Sequence, residues 1–295
     1  MQRLRFFIAF FSMVYAVDIT AQEEEEKNRH SDEHLEQVSQ GTSHPATNHS
    51  FVIIENETVF FEDDELENEP ENKLFIRPII GQPIFNNSWT WATRIDLEFA
   101  SIPLLHGEHG EDRVNGFGDL GVTMFLAPST KHDGFIWALG YSSLFPTASE
   151  DELGAGKYQL GPAISLFYLG PEFGTGLRSF NLGTFVEHLW SVGGDDDFED
   201  TNRSNIHYYL MYRLTSTMQI GMEPRITIDW EEESGNRLNF PIGLGIGDLF
   251  NMGKLPVKWR VEGQYFVASE EVEARNYSIV LTLEPIISSL FHTGH

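Results

Sequence analysis

Three groupings in this sequence have residue types that could do chemistry. Glu187, His188 and Ser191 set an acid, a base and a hydroxyl close together, the makings of an acyl-transfer site. The acidic stretches Ser149-Glu150-Asp151-Glu152 and Asp195-Asp196-Asp197 with Glu199-Asp200 offer the several oxygens that calcium or magnesium prefers. The third grouping is spread along the chain and made of charged residues that alternate with apolar ones. Its members are Arg77, Arg94, Asp96, Glu98, Arg213, Glu223, Arg225, Asp229, Arg237, Lys258, Arg260, Glu262 and Glu284. Turned toward one another inside a closed sheet, mixed charges would pair into a filling network or line a path that selects small solutes.

The elements that position these residues decide among the three. The stretch Gln219–Glu231 reads in twos, with Ile220, Met222, Pro224, Ile226, Ile228 and Trp230 against Gln219, Glu223, Arg225, Thr227, Asp229 and Glu231. A strand sends successive side chains to opposite faces, so one face is apolar and the other charged. On such an element His188 points away from both Glu187 and Ser191, and no triad forms from one strand. His188 instead shares a side with Val186, Trp190 and Val192. The acidic stretches lack EF-hand spacing, and solvated loops are their simpler reading. His30, His34, His44 and His49 sit among acids at spacings that fit no compact metal site. The expectation is no catalytic residue, no metal and no cofactor.

The same alternation recurs at Thr93–Phe99, Leu120–Leu126, Tyr158–Tyr168, Ile206–Leu214, Leu238–Ile246, Val257–Tyr265 and Tyr277–Leu283. Each run is about ten residues, the length a tilted strand needs to cross a bilayer. About eleven strands follow Leu74, and the apolar island Phe51–Phe61 makes about twelve, an even number that suits bacterial barrels. Two readings compete: a soluble sheet with a packed apolar face, and a barrel with its apolar face in lipid. Loops and tryptophans favour the barrel. Long acidic connections (Leu104–Asn115, Thr147–Ala155, Gly193–Asn202) alternate with short ones (Pro128–Asp133, Leu214–Thr217). Trp137 and Trp259 fall near the periplasmic ends of strands and Trp190 and Trp230 near the outer ends, all on the apolar side, as in interfacial girdles.

Composition sets the compartment. Arg3 and Arg5 precede the apolar run Phe6–Val17, with small residues at Ala16 and Ala21, the layout of a secretory signal peptide cleaved after Ala21 or Ala16. The chain has no cysteine, which removes disulfides and thiolate sites. A formal charge of −26 argues against nucleic acid. Much of it lies between Gln22 and Asn72, where 16 of the 45 acids face only Lys27 and Arg29, a composition that predicts disorder outside the Phe51–Phe61 island.

By Gly116–Pro128, GFGDLGVTMFLAP, the chain resembles the outer-membrane barrels of the "MetA-pathway of phenol degradation" family, a transporter-like group. The matching pieces are Ile76-Arg77-Pro78 with Trp91 and Thr93-Arg94, then Gly116–Leu120, then Leu144–Ala148. They continue with Leu153–Tyr158, Gly161-Pro162-Ala163, His188–Gly193, Gly253-Lys254 and Pro256-Val257. The resemblance covers roughly Lys73 to Phe291. Its departures are the long acidic extension and an end in FHTGH, which leaves Phe291 as the terminal barrel signal. It implies uptake of small apolar or aromatic molecules.

The expectation is therefore an all-β, antiparallel transmembrane outer-membrane β-barrel of about 12 strands in a Gram-negative bacterium. Residues 1–21 are read as the signal peptide, 22–72 as an acidic periplasmic segment with a first strand at 51–61, and 73–295 as the barrel. The function expected is a passive channel or transporter for small solutes. A non-conducting barrel that binds a periplasmic partner, and a lipid-modifying enzyme, are the alternatives. The implied partners are outer-membrane lipids and lipopolysaccharide, the barrel-assembly machinery and a small-molecule solute.

Overall fold

A computed structural model describes residues 50–62, 69–104, 113–129, 134–171, 176–233, 237–253, 255–269 and 274–287. The chain divides into a short unit, Met1–His34, and a second unit, Leu35–His295, that holds every described residue. The expected signal peptide, residues 22–49, the four N-terminal histidines and Phe291 lie outside the described residues.

The strands are β1 (Ser50–Phe61), β2 (Glu71–Ile84), β3 (Trp89–Pro103), β4 (Arg113–Phe117), β5 (Leu120–Pro128), β6 (Phe135–Phe145) and β7 (Lys157–Leu169). They continue with β8 (Phe180–Gly194), β9 (Asn202–Arg213), β10 (Gln219–Met222), β11 (Arg225–Asp229), β12 (Leu238–Met252), β13 (Leu255–Ala268) and β14 (Arg275–Ile287). Each pairs antiparallel with its neighbour, and β1 pairs with β14 from Ser50↔Ile287 to Phe61↔Arg275, which closes the sheet. Because β4 and β5 both pair with β3, and β10 and β11 both run between β9 and β12, the wall counts as a closed 12-strand barrel. Closure leaves no open edge, which a hydrocarbon environment requires.

The uninterrupted strands run 11 to 15 residues, enough to cross a bilayer at a tilt. Their outer face carries exposed Leu97, Leu139, Leu160, Leu166, Leu244 and Ile279. Lipid is the solvent that makes such a belt favourable, so the fold is that of a transmembrane outer-membrane barrel, and the Gram-negative outer membrane is its place. Connections at one end are short, such as residues 85–88 and 214–218, and both barrel termini lie there. This is the periplasmic end by the usual asymmetry of such barrels.

Trp137 stands near the short-turn end, edge-on to Trp89 at 6.0 Å, and Trp259 is at the same end of β13. Trp190 and Trp230 stand at the other end, each 45% exposed.

Two boundaries differ from the sequence reading. The barrel starts at Ser50 rather than at residue 73, because the island is a full strand between β2 and β14. The stretch Gln219–Glu231 is not one strand. It breaks at Glu223-Pro224, where proline supplies no amide to the ladder. Gly221, at φ +155°, turns the chain there, and a Cβ at that position would meet the Leu210 carbonyl.

The interior is layered. At the periplasmic end Phe51, Ile79, Leu249 and Ile286 form one buried cluster, and Ile136, Phe167 and Leu169 another. Above them Ala92, Phe125, Ala127, Ala138, Ala163 and Phe185 pack together with Tyr209 beside them. The lower lumen is thus filled largely by apolar side chains, with Arg213 and the Lys258–Glu284 pair among them, and the larger charged layer sits at mid-height and above.

Candidate functional site: the charged waist

Alternation on β2, β3, β11 and β13 brings the expected charges inward. Arg77 on β2 is 4% exposed and pairs with Glu55 on β1 and Asp96 on β3, at 2.8 Å each. Arg94 donates to Asp96 at 2.8 Å, and its guanidinium lies 4.8 Å from the Phe185 ring centre. On the opposite wall Arg260 bridges Glu223, at 3.0 Å, and its strand neighbour Glu262. Lys258 faces Glu284 at 3.6 Å. Glu98 reaches Lys73 at 3.8 Å, and Glu71 binds both Lys73 and Arg275. Each of these buried charges carries a desolvation penalty that its partner helps to offset. Glycines make room for the far network. A Cβ at Gly243 would meet the Glu262 carboxylate, and one at Gly245 the Arg260 guanidinium.

Three expected residues sit away from mid-height. Asp229 pairs with Arg203 near the upper rim at 3.1 Å. Arg213 is 1% exposed at the periplasmic end and donates to the Gly170 carbonyl at 2.8 Å. Arg237 does not join the lumen group. It lies just before β12, its guanidinium donating to the Glu232 carbonyl and lying 5.7 Å from the Trp230 ring centre.

Two cavities meet at the waist. An upper one of about 400 Å³ is lined by Glu57, Glu98, Glu187, Arg203 and Arg275, among others. A lower one of about 80 Å³ is lined by Phe51, Ile79, Phe167 and Met211, among others. Glu55, Arg77, Arg94, His207, Glu223 and Arg225 border both. His207 Nε2 lies 2.6 Å from the Glu223 carbonyl and must donate to it, so Nδ1 accepts from the Tyr209 hydroxyl at 2.8 Å. Arg225 makes no ion pair among the described residues, unlike Arg77 and Arg94 beside it.

Several lining residues were absent from the sequence-based set: Glu55, Glu57, Glu71, Lys73, Glu187 and His207. Glu55, Glu57 and Glu71 lie before residue 73, in the segment read as acidic and periplasmic, and Lys73 stands at its border. Glu187 and His207 were legible by alternation with Phe185 and Tyr209, but nothing local marks them as lining a cavity.

His188 does point outward. Its Nδ1 lies 2.7 Å from Ser204 Oγ, which also accepts from Trp230 Nε1 at 2.9 Å. Glu187 is on the opposite face, held by Ser142 at 2.6 Å and Asn205 at 3.0 Å. Ser191 Oγ accepts from the Thr201 amide. The three residues first considered for a triad are therefore not brought together. Among the described residues no group of three or more acidic, histidine or cysteine side chains is placed to hold a metal.

No protein-family model matches the sequence, and no curated protein matches it. Among solved structures the chain is similar to the COG4313 outer membrane channel from Pseudomonas putida F1. The identity is 11%, the TM-score 0.61, and the match covers 84% of this chain and 98% of that one. It is more distantly similar to the outer membrane phospholipase A from Escherichia coli, at 12% identity and TM-score 0.42 over 81% of this chain and 90% of that one. The first likeness concerns the fold, and the second carries no argument.

Proposed function

We propose that the protein is a passive conduit for small solutes across the outer membrane, with its selectivity set at the charged waist. The observation that carries this reading is the meeting of two cavities at Glu55, Arg77, Arg94, His207, Glu223 and Arg225 inside a closed barrel. Opposed charges at a constriction sort solutes by charge and size. Rings at the same level, Phe75 under Arg77 and Phe185 under Arg94, suit small aromatic solutes. The test is planar-bilayer conductance of the refolded full chain, with and without residues 22–49. Discrete steps are the expected result, and larger steps without the segment would make it a plug. Silence from both, with a heat-modifiable β-rich fold verified, would sink the open-channel reading and favour a non-conducting structural barrel.

A second reading has one observation in its favour, the Ser204–His188 contact on the lipid-facing side. In that reading Ser204 would attack an outer-leaflet ester while His188 takes its proton and returns it to the departing alcohol, and water would then hydrolyse the acyl-serine to free the acid. Ester turnover by the purified protein that disappears in Ser204→Ala would support it, and no turnover would remove it.

A further inference from the structure

We infer that the barrel wall carries a lateral exit for small uncharged aromatic or apolar solutes, between β10/β11 and β12, latched by Tyr208. The inference rests on the conduit reading and adds where such a solute leaves.

The ladder between these strands is interrupted at mid-height. Pairing stops at Gly221↔Gly245 and resumes at Thr227↔Asn239. The segment from Met222 to Ile226 therefore faces Phe240 to Leu244 with no paired rung, whereas on its other side β12 pairs with β13 from Phe240 to Met252. Backbone groups that a continuous wall would spend on β12 are turned into the lumen instead. The Glu223 amide bonds the Glu262 carboxylate at 3.2 Å, and the Glu223 carbonyl accepts from His207. The Gly221 carbonyl accepts from Arg260 at 2.9 Å. Pro241 removes an amide donor from the β12 side of the gap. The β9 side stays joined, with the Tyr208 amide donating to the Pro224 carbonyl at 3.2 Å.

What closes the gap is side chain rather than ladder. Tyr208 reaches from β9 past β11, and its hydroxyl donates to the Pro241 carbonyl on β12 at 2.8 Å. Its ring meets Phe240 edge-on, and Pro224 is fully buried in the wall. Outside, Ile242 and Leu244 stand 43% and 65% exposed. Inside, the upper cavity reaches Pro241, Glu223, Arg225 and Glu262. Below the waist the axial route narrows to the small cavity and then to the buried cluster of Phe51, Ile79, Leu249 and Ile286. A solute without charge gains more from entering hydrocarbon than from passing the charged waist. On the lipid side the gap is closed by the Tyr208 hydrogen bond and the Tyr208–Phe240 ring contact, and on the lumen side by the side chains of Arg260 and Glu262.

The experiment uses intact Gram-negative cells bearing the full chain, whose lipopolysaccharide leaflet excludes N-phenyl-1-naphthylamine, a neutral aromatic probe that fluoresces in the bilayer. The chain contains no cysteine, so Met222→Cys with Leu244→Cys can be joined by a short bis-maleimide across the gap. Each single variant serves as a control. Probe entry through the native protein and the single variants, lost several-fold in the cross-linked double variant, is the expected result. Tyr208→Phe keeps the ring and removes the latch, so it should speed entry by about fivefold, the factor that one net hydrogen bond controls. No probe entry through the native protein, or entry indifferent to both the cross-link and Tyr208→Phe, overturns the lateral exit. Ion conductance of the cross-linked protein keeps the two readings apart. Retained steps with probe entry lost place ions and apolar solutes on different routes, and lateral entry without any steps would remove the open channel while leaving the lateral exit standing.

Discussion

Asp119 shows how one side chain can organise a loop. Its Oδ1 accepts the amides of Thr147 and Ala148 at 2.9 and 3.0 Å, and its Oδ2 accepts that of Ala155 at 2.8 Å. These bonds tie the Gly116–Leu120 motif to both ends of the loop before β7, which explains why Leu144–Ala148 and Leu153–Tyr158 accompany it in the sequence. Small residues are part of the device, because a Cβ at Gly154 would meet the Asp119 carboxylate and the Ala148 methyl. Hydrogen bonds to a charged acceptor contribute about 1.5–3 kcal/mol, so Asp119→Ala should lower stability by that order. Urea midpoints in detergent would measure it, together with faster proteolysis between residues 146 and 156. An unchanged cleavage rate would mean the loop is held by other contacts.

At the scale of elements, β1 is the piece that decides whether the barrel exists. Its inward face carries Phe51, Ile53, Glu55, Glu57, Val59 and Phe61, four apolar residues around two acids, because it spans the filled lower lumen, the waist and the upper rim. Deleting residues 22–49 leaves this strand intact and should preserve a heat-modifiable barrel. Deleting residues 22–72 removes it, leaves β2 and β14 without partners, and should give aggregated, non-heat-modifiable protein on SDS gels. Equal folding of the two chains would contradict the β1–β14 closure. The break between β10 and β11 is a second decision made by an element, where proline and a turned glycine exchange rungs of ladder for lumen contacts.

For the whole molecule, the waist is where fold and charge meet. Arg77, Arg94 and Arg260 are held by Glu55, Asp96, Glu223 and Glu262, which leaves Arg225 as the waist cation without an ion pair among the described residues. Arg225→Glu should shift the reversal potential in a salt gradient toward cations, with single-channel conductance otherwise of the same order. Arg225→Lys, which retains the charge, should not. An unshifted potential in Arg225→Glu would mean that permeating ions bypass the waist.

Fold class was legible in this chain because a barrel writes itself with a period of two. Every strand needs one face for lipid and one for the lumen, and runs such as Lys258–Tyr265 state both faces in their order of residues. The inward placement of Arg77, Arg94, Asp96 and Arg260 follows from that parity alone. Parity says nothing about height or partners. That Arg77 meets Glu55, that Arg260 meets Glu223, and that the lower lumen is packed with Phe51, Ile79 and Ile286 depend on register between strands far apart in sequence, which only closure sets. The broken ladder beside Tyr208 was likewise invisible. A proline in an alternating run can mark an interrupted rung, but whether the neighbouring strand bridges it is settled by contacts across the wall.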